Sequence, residues 1–366
     1  MEISVDALAN KVKRHYILRL SIKPLSNLAW SSGLFQLYRR CSDLSIVKTQ
    51  LEVPTFCDIH VDLACKVRIK PLNVHKYHNS NAFLLQTDQK YDNDIEHYID
   101  GNKVVVKGHT GLNPNALCSI KAPVKANLHI KAKNDVSVGF FHGDKLNINT
   151  QGNVVVDRFQ GDTIDVSTSN GNIVLHNYIQ AANISGKTSN GSISTGRLQG
   201  LNLKLKVLEE GNMSVESSYC TESIFVVEKG NMTLDNVHKN CKVFLMKGHL
   251  ALTGFDGQLS TVINSGSADI HLSRISGSSD ITLKEVGDLI LKLTDSCRES
   301  TLFKIISPSI SVEGPIGSEA IKEENLVILK PEGNSDSVML VNCSKSPVKV
   351  QATSWQEMIE MKLKNK

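Results

Sequence analysis

Five-residue units of one form recur down this chain: a glycine, a small polar residue, an apolar residue, any residue, an apolar residue. They start at Gly152 and return at Gly171, Gly191, Gly211, Gly230, Gly248, Gly266 and Gly287, in steps of 19, 20, 20, 19, 18, 18 and 21 residues. A unit this short cannot bury its own apolar face, so successive units must stack and share one core. Two residues past each glycine stand Val154, Ile173, Ile193, Met213, Met232, Leu250, Ala268 and Leu289; four past stand Val156, Leu175, Thr195, Val215, Leu234, Leu252, Ile270 and Leu291. Alternate strand residues face opposite sides, so both columns point into the core. The position between them, from Val155 to Ile290, is mixed, as an outer face should be.

The residue after each glycine is Asn, Ser, His or Asp, from Asn153 to Asp288. This is turn chemistry: glycine takes the positive φ and the short polar side chain bonds nearby backbone. A second strand follows in most units, as in Ile164–Val166, Leu203–Leu205, Ile224–Val226 and Val243–Leu245, and a further turn is expected at Phe159–Gly161, Leu198–Gly200, Phe255–Gly257 and Ile275–Gly277. The pattern continues weakly at Asn134 with Val136 and Val138, and at Pro308 with Ile310 and Val312. The fold class is therefore all-β, a β-solenoid of about ten coils of 18–21 residues, on the order of 50 Å long at ~4.8 Å per coil.

Four segments follow. Residues 134–317 carry the solenoid repeats, and residues 44–133 read as an N-terminal β cap or first coils. The cap reading rests on two long alternations, Cys57 to Ile69 and Cys118 to Ala132, with a loop near Asn79–Ile95. Residues 318–366 contain strands at Leu326–Leu329, Val338–Val341 and Val348–Val350, then Trp355, Met358, Ile359 and Leu363 at helical spacing, a short C-terminal helix that caps the stack. Residues 1–43 read as a leader. Its residues 1–42 carry seven Lys/Arg against Glu2 and Asp6, and no acid from Ala7 to Ser42, the composition of a mitochondrial transit peptide. The localisation expected is mitochondrial, with a cytoplasmic chain bearing a disordered extension as the alternative.

Charge and composition narrow the function. The formal net charge is +4, of which residues 1–42 hold +5, so the body is near neutral and a poor match for a nucleic-acid backbone. No apolar run approaches the length of a transmembrane helix. Eight scattered cysteines without C-x-x-C read as reduced thiols. Five N-x-S/T sequons (Asn183, Asn190, Asn212, Asn231, Asn342) matter only on a secreted chain. The best metal constellation is Cys57, His60, Cys65, His75 and His78, but Cys57 and Cys65 share the apolar parity while His60 lies on the other; no metal is expected, with His75 and His78 the weak candidates. Ser185–Thr188 echoes the end of a phosphate-binding loop, yet Ala181 stands where glycine is required, so no cofactor is expected. There is no G-x-S-x-G, and the repeat acids do not align between adjacent coils, so no catalytic residue is assigned.

These repeat units, Gly171-Asn172-Ile173-Val174-Leu175 and Gly191-Ser192-Ile193-Ser194-Thr195 among them, give the chain a resemblance to the "putative adhesin" β-solenoid family, a domain of unknown function. The likeness covers roughly 50–345 and is nearest the eukaryotic branch called "family with sequence similarity 185". The resemblance implies a β-solenoid body, a mitochondrial setting and no catalytic residues. The function expected is that of a non-enzymatic binding or scaffold protein with a protein partner. Its alternatives are a polysaccharide-acting enzyme on a β-helix and an adhesin-like surface protein.

Overall fold

Each coil turns the chain through three sides, and the repeat columns form one of them. In a computed structural model, which describes residues 46–88, 93–109, 111–314, 320–331 and 335–354, successive coils lie parallel and in register. The central coils run through β9 (Val136–Thr150), β10 (Val154–Thr168), β11 (Ile173–Asn190), β12 (Ile193–Glu210), β13 (Met213–Lys229), β14 (Met232–Asp235) and β15 (His238–Ile275). On the first side Val154 pairs with Ile173, Ile173 with Ile193, Ile193 with Met213 and Met213 with Met232. Both apolar columns are buried, so the period-two reading holds. Burial of each such Val, Ile or Leu contributes about 1.5–3 kcal/mol, repeated at every coil.

The second side is the predicted second strand: Ile164, Ile184, Leu203 and their neighbours stack inward. The segments expected to be turns instead make a short third side. Arg158–Gly161 pairs with Tyr178–Ala181, and Arg197–Gln199 follows, with Phe159, Ile179 and Leu198 buried. One or two buried residues among polar ones gave no alternation long enough to mark a strand.

The ends depart from chain order. β2 (Phe56–Leu63) and β3 (Lys66–Pro71) form a coil that sits between β6–β7 (Lys103–Gly108, Leu117–Ala122) and the coil begun by β8 (Lys125–Ala132). At the other end β16 (Ser278–Leu283) and β17 (Leu289–Leu293) pair with β22 (Ser337–Asn342) and β23 (Val348–Ala352). The coil of β18 (Thr301–Ile306) and β19 (Ile310–Glu313) lies outside them. Each end thus interleaves one coil out of sequence, so neither end coil peels off without disturbing a neighbour. The coil at Ile310 and Val312 therefore does not follow that at Leu289 directly, and the stack is longer than the repeat glycines alone indicate.

Antiparallel strands close both ends: β1 (Ile46–Glu52) on β4 (Ala82–Asp88), β5 (Ile95–Asp100) on β6, and β20 (Ala320–Glu323) on β21 (Leu326–Leu329), which pairs with β18. Reversing direction covers the open edge of a parallel stack. The loop expected near Asn79–Ile95 thus contains strand β4, whose Phe83 and Leu85 are buried. A short helix, α1 (Asp295–Ser300), is capped by the Thr294 hydroxyl accepting from Cys297 N; sequence reading missed it. The leader at 1–43 and the C-terminal helix at Trp355–Leu363 lie outside the described residues. Among the described residues no helix is long and apolar enough to cross a membrane.

Candidate functional site

The repeat glycines are absorbed by stacking. A Cβ on Gly191 would lie 2.3 Å from the Gly171 carbonyl oxygen, and on Gly211, Gly230, Gly248, Gly266 and Gly287 within 2.0, 2.1, 1.9, 1.8 and 1.7 Å of the preceding glycine's oxygen. Gly171 meets the Gly152 carbonyl oxygen at 2.0 Å, and Gly152 meets the backbone of Asn134 and Asp135 at 2.7 Å. The requirement is close approach between coils first; a φ in the left-handed region occurs from Gly191 through Gly266 but is absent at Gly152, Gly171 and Gly287. This corrects the reading of a turn glycine chosen for φ alone.

The polar residues after the glycines form a ladder with no spare rungs. Asn153 Oδ1 accepts from Asn172 N at 2.9 Å, Asn172 Oδ1 from Ser192 N at 2.8 Å, Ser192 Oγ from Asn212 N at 3.1 Å and Asn212 Oδ1 from Asn231 N at 2.8 Å. Each side chain caps the next coil rather than its own turn. Its acceptor is therefore taken, and two of the sequon asparagines, Asn212 and Asn231, lie in this ladder.

Other sequence candidates separate. His75 and His78 are exposed residues of the loop after β3. Cys57 and Cys65 are fully buried, while His60 faces outward and stacks on His129, centroids 4.5 Å apart. Burial first, and then the His129 ring, lowers the His60 pKa; burial lowers that of His129, opposed by Asp58. Among the described residues no three His, Cys, Asp or Glu side chains gather to hold a metal ion. Ser185–Thr188 lies within strand β11, with Thr188 Oγ1 donating to Gly171 O, so the chain there lacks a phosphate-binding turn.

What stacking leaves over is a single file on the third side. Arg158 lies over Phe140 at 4.8 Å and over Tyr178 at 5.8 Å; Arg197 lies over Tyr178 at 5.6 Å and over Tyr219 at 4.8 Å. His238 then stacks on Tyr219 at 4.7 Å, and Asp256 beyond it takes a two-pronged contact from Arg274 at 2.8 and 3.1 Å. Hydrogen bonding to Asp256 raises the Arg274 pKa. Beside the file, Gln160 donates to Gln180 and the Tyr178 hydroxyl donates to Gln199 Oε1 at 2.6 Å. Each cation–π contact contributes about 0.5–1 kcal/mol when exposed, so the file is held by its own members. Sequence reasoning missed it although a signal existed. Arg158, Tyr178, Arg197, Tyr219 and His238 recur about one coil apart, but their offset from the repeat glycine drifts from six residues to eight.

The chain is similar to a "putative adhesin" from Parabacteroides distasonis (9% identity, 85% of this chain and 98% of that one, TM-score 0.39). It is similar also to a "putative adhesin" from Parabacteroides merdae (12%, 84% and 97%, TM-score 0.35). A third is a "putative cell adhesion protein" from Clostridium sporogenes (9%, 84% and 100%, TM-score 0.15). No curated protein matches the chain. Residues 121–351, most of the chain and nearly all of its stacked coils, match the family model described as Toastrack DUF4097, and the chain belongs to that family.

Proposed function

We propose that this chain is a non-enzymatic binding or scaffold protein that docks a protein partner on the third side of its solenoid. The observation that carries this reading is the file Phe140–Arg158–Tyr178–Arg197–Tyr219–His238, in which exposed guanidinium groups and rings are held in place over successive coils. Arginine and tyrosine are the residue types that dominate binding energy at protein interfaces, because each offers a large contact and directional donors. Elsewhere the repeat commits its glycines, its Asn/Ser ladder and both apolar columns to stacking.

Two finer readings accompany it. We assign the chain to the eukaryotic "family with sequence similarity 185" branch on the strength of its repeat units, and to mitochondria on that of the acid-free stretch from Ala7 to Ser42. Proximity labelling in cells with the full chain tests the docking side and the localisation. A discrete set of mitochondrial neighbours is expected, lost when Arg158→Glu and Arg197→Glu are introduced together. Cytosolic or extracellular neighbours would overturn the localisation. A neighbour set indifferent to the two substitutions would overturn the docking side, and turnover of a polysaccharide by the purified chain would overturn the non-enzymatic reading.

A further inference from the structure

The file on the third side has an unusual feature: its aromatic faces are already covered. Tyr178 is flanked by Arg158 and Arg197, and Tyr219 by Arg197 and His238. A base or a sugar ring that needs an open aromatic face finds none on these two tyrosines. What remains open is the N–H edge of each guanidinium. Arg158 and Arg197 are both exposed and form no ion pair among the described residues, whereas Arg274 on the same side is closed by Asp256. Asp157, which precedes Arg158, and Glu216, which precedes the Ser217 that pairs with Arg197, form no ion pair with either arginine among the described residues. A guanidinium held between two rings presents a fork of N–H donors that matches a carboxylate.

The register sets the spacing. Arg158 pairs with Tyr178, and Tyr178 with Arg197, so the two forks are two coils apart, about 9.6 Å. A polyproline II segment repeats its side-chain direction every third residue with a rise of about 9.3 Å. An ordinary strand repeats direction every second residue, about 6.7 Å, and does not match. Resting on the docking role given above, we propose that the third side binds an acidic partner segment in polyproline II conformation, with carboxylates at every third residue seated on Arg158 and Arg197. The Gln180 and Gln199 Oε1 atoms are taken by Gln160 and Tyr178, which leaves their amide N–H groups to donate to the backbone carbonyls of such a segment, which has no internal hydrogen bonds.

The test is fluorescence anisotropy on the full chain with a labelled (Glu-Pro-Pro)4 peptide at low salt. Binding is expected, weakening as salt rises. A (Glu-Pro-Pro-Pro)3 peptide should bind several-fold more weakly, because its carboxylates fall out of phase. Arg158→Gln with Arg197→Gln should weaken (Glu-Pro-Pro)4 about tenfold or more, with far-UV circular dichroism unchanged. Arg158→Lys with Arg197→Lys should also bind more weakly than the natural chain, since an ammonium keeps the charge but loses the fork. Lys204→Gln with Lys206→Gln, on the second side, should leave binding intact. No binding of (Glu-Pro-Pro)4, equal binding of the two peptides, equal binding by the lysine variant, or equal binding of a dT12 oligonucleotide would overturn the proposal. If (Glu-Pro-Pro)4 fails while cellular neighbours still depend on Arg158 and Arg197, the docking side stands and the acidic segment falls.

Discussion

Gly230→Ala measures how tightly the coils are locked together. A Cβ there would sit 2.1 Å from the Gly211 carbonyl oxygen and 2.8 Å from its carbon, where ordinary contact is well over 3 Å. The backbone φ is +143°, a region side chains rarely adopt. Relief requires the coils to part by about an ångström, which strains Gly211 N to Lys229 O and Gly230 N to Lys247 O, both 3.0 Å. Backbone strain of about 1–2 kcal/mol and overpacking of about 1–3 kcal/mol give an expected loss of about 2–5 kcal/mol. Two companions separate the causes. Gly101→Ala has φ +57° and open space, so it should cost about 1 kcal/mol from conformation alone. Gly171→Ala lacks the unusual φ but meets Gly152 O at 2.0 Å, so it should cost the overpacking part, about 1–3 kcal/mol. Urea unfolding followed by far-UV circular dichroism supplies the ranking. Native-state hydrogen exchange supplies the location, because stacked repeats need not unfold in one step. Gly171→Ala and Gly230→Ala no less stable than Gly101→Ala would refute the close-approach argument.

Thr195 occupies an apolar column, and its buried hydroxyl finds no partner among the described residues. Thr195→Val should therefore stabilise by about 1 kcal/mol, read as a raised urea midpoint; a lowered midpoint would contradict it. Asn172→Ala removes the acceptor for Ser192 N and should cost about 1 kcal/mol, with faster exchange of the Ser192 amide as the local mark. Burial pushes the Cys57, Cys65 and Cys343 thiols up to about 11, and Cys297 up to about 12, from an unfolded value of 9.0. The folded chain therefore holds these protons longer than the unfolded one. Their contribution is complete below pH 9 and is lost as pH rises towards 11, so stability should fall over that window, less steeply in Cys57→Ala.

The period of the glycines made the stack legible, because close approach and inward apolar columns both repeat with it. Val154 through Leu289 were assigned to the core correctly for that reason. The third side was invisible because it buries only one or two residues per coil, such as Phe159, Ile179 with Ala181, and Leu198, too few for a recognisable alternation. The interleaved ends were invisible for a different reason. Local pattern shows that Val338–Val341 is a strand, but only the competition among coils decides that it enters between Ser278–Leu283 and Thr301–Ile306. The docking side escaped because its members drift in offset from the glycine. The Asn ladder was legible as polar turn residues, but its bonds reach the following coil and not the local turn.

In-register stacking underlies the core, the glycine contacts and the Arg158–Tyr178–Arg197 part of the file, which steps two residues sideways from Arg197 to reach Tyr219. Asp165, Ser185, Lys204, Ile224 and Lys242 form one file across successive coils on the second side. Nitroxide labels introduced at Asp165 and Lys204, and separately at Asp165 and Lys242, in a chain with Cys41→Ser, test it directly by dipolar electron paramagnetic resonance. Residues 165 and 242 are 77 positions apart in sequence, yet the account predicts backbone separations of about 10 Å for the first pair and about 19 Å for the second. Separations that do not double from the first pair to the second would contradict it.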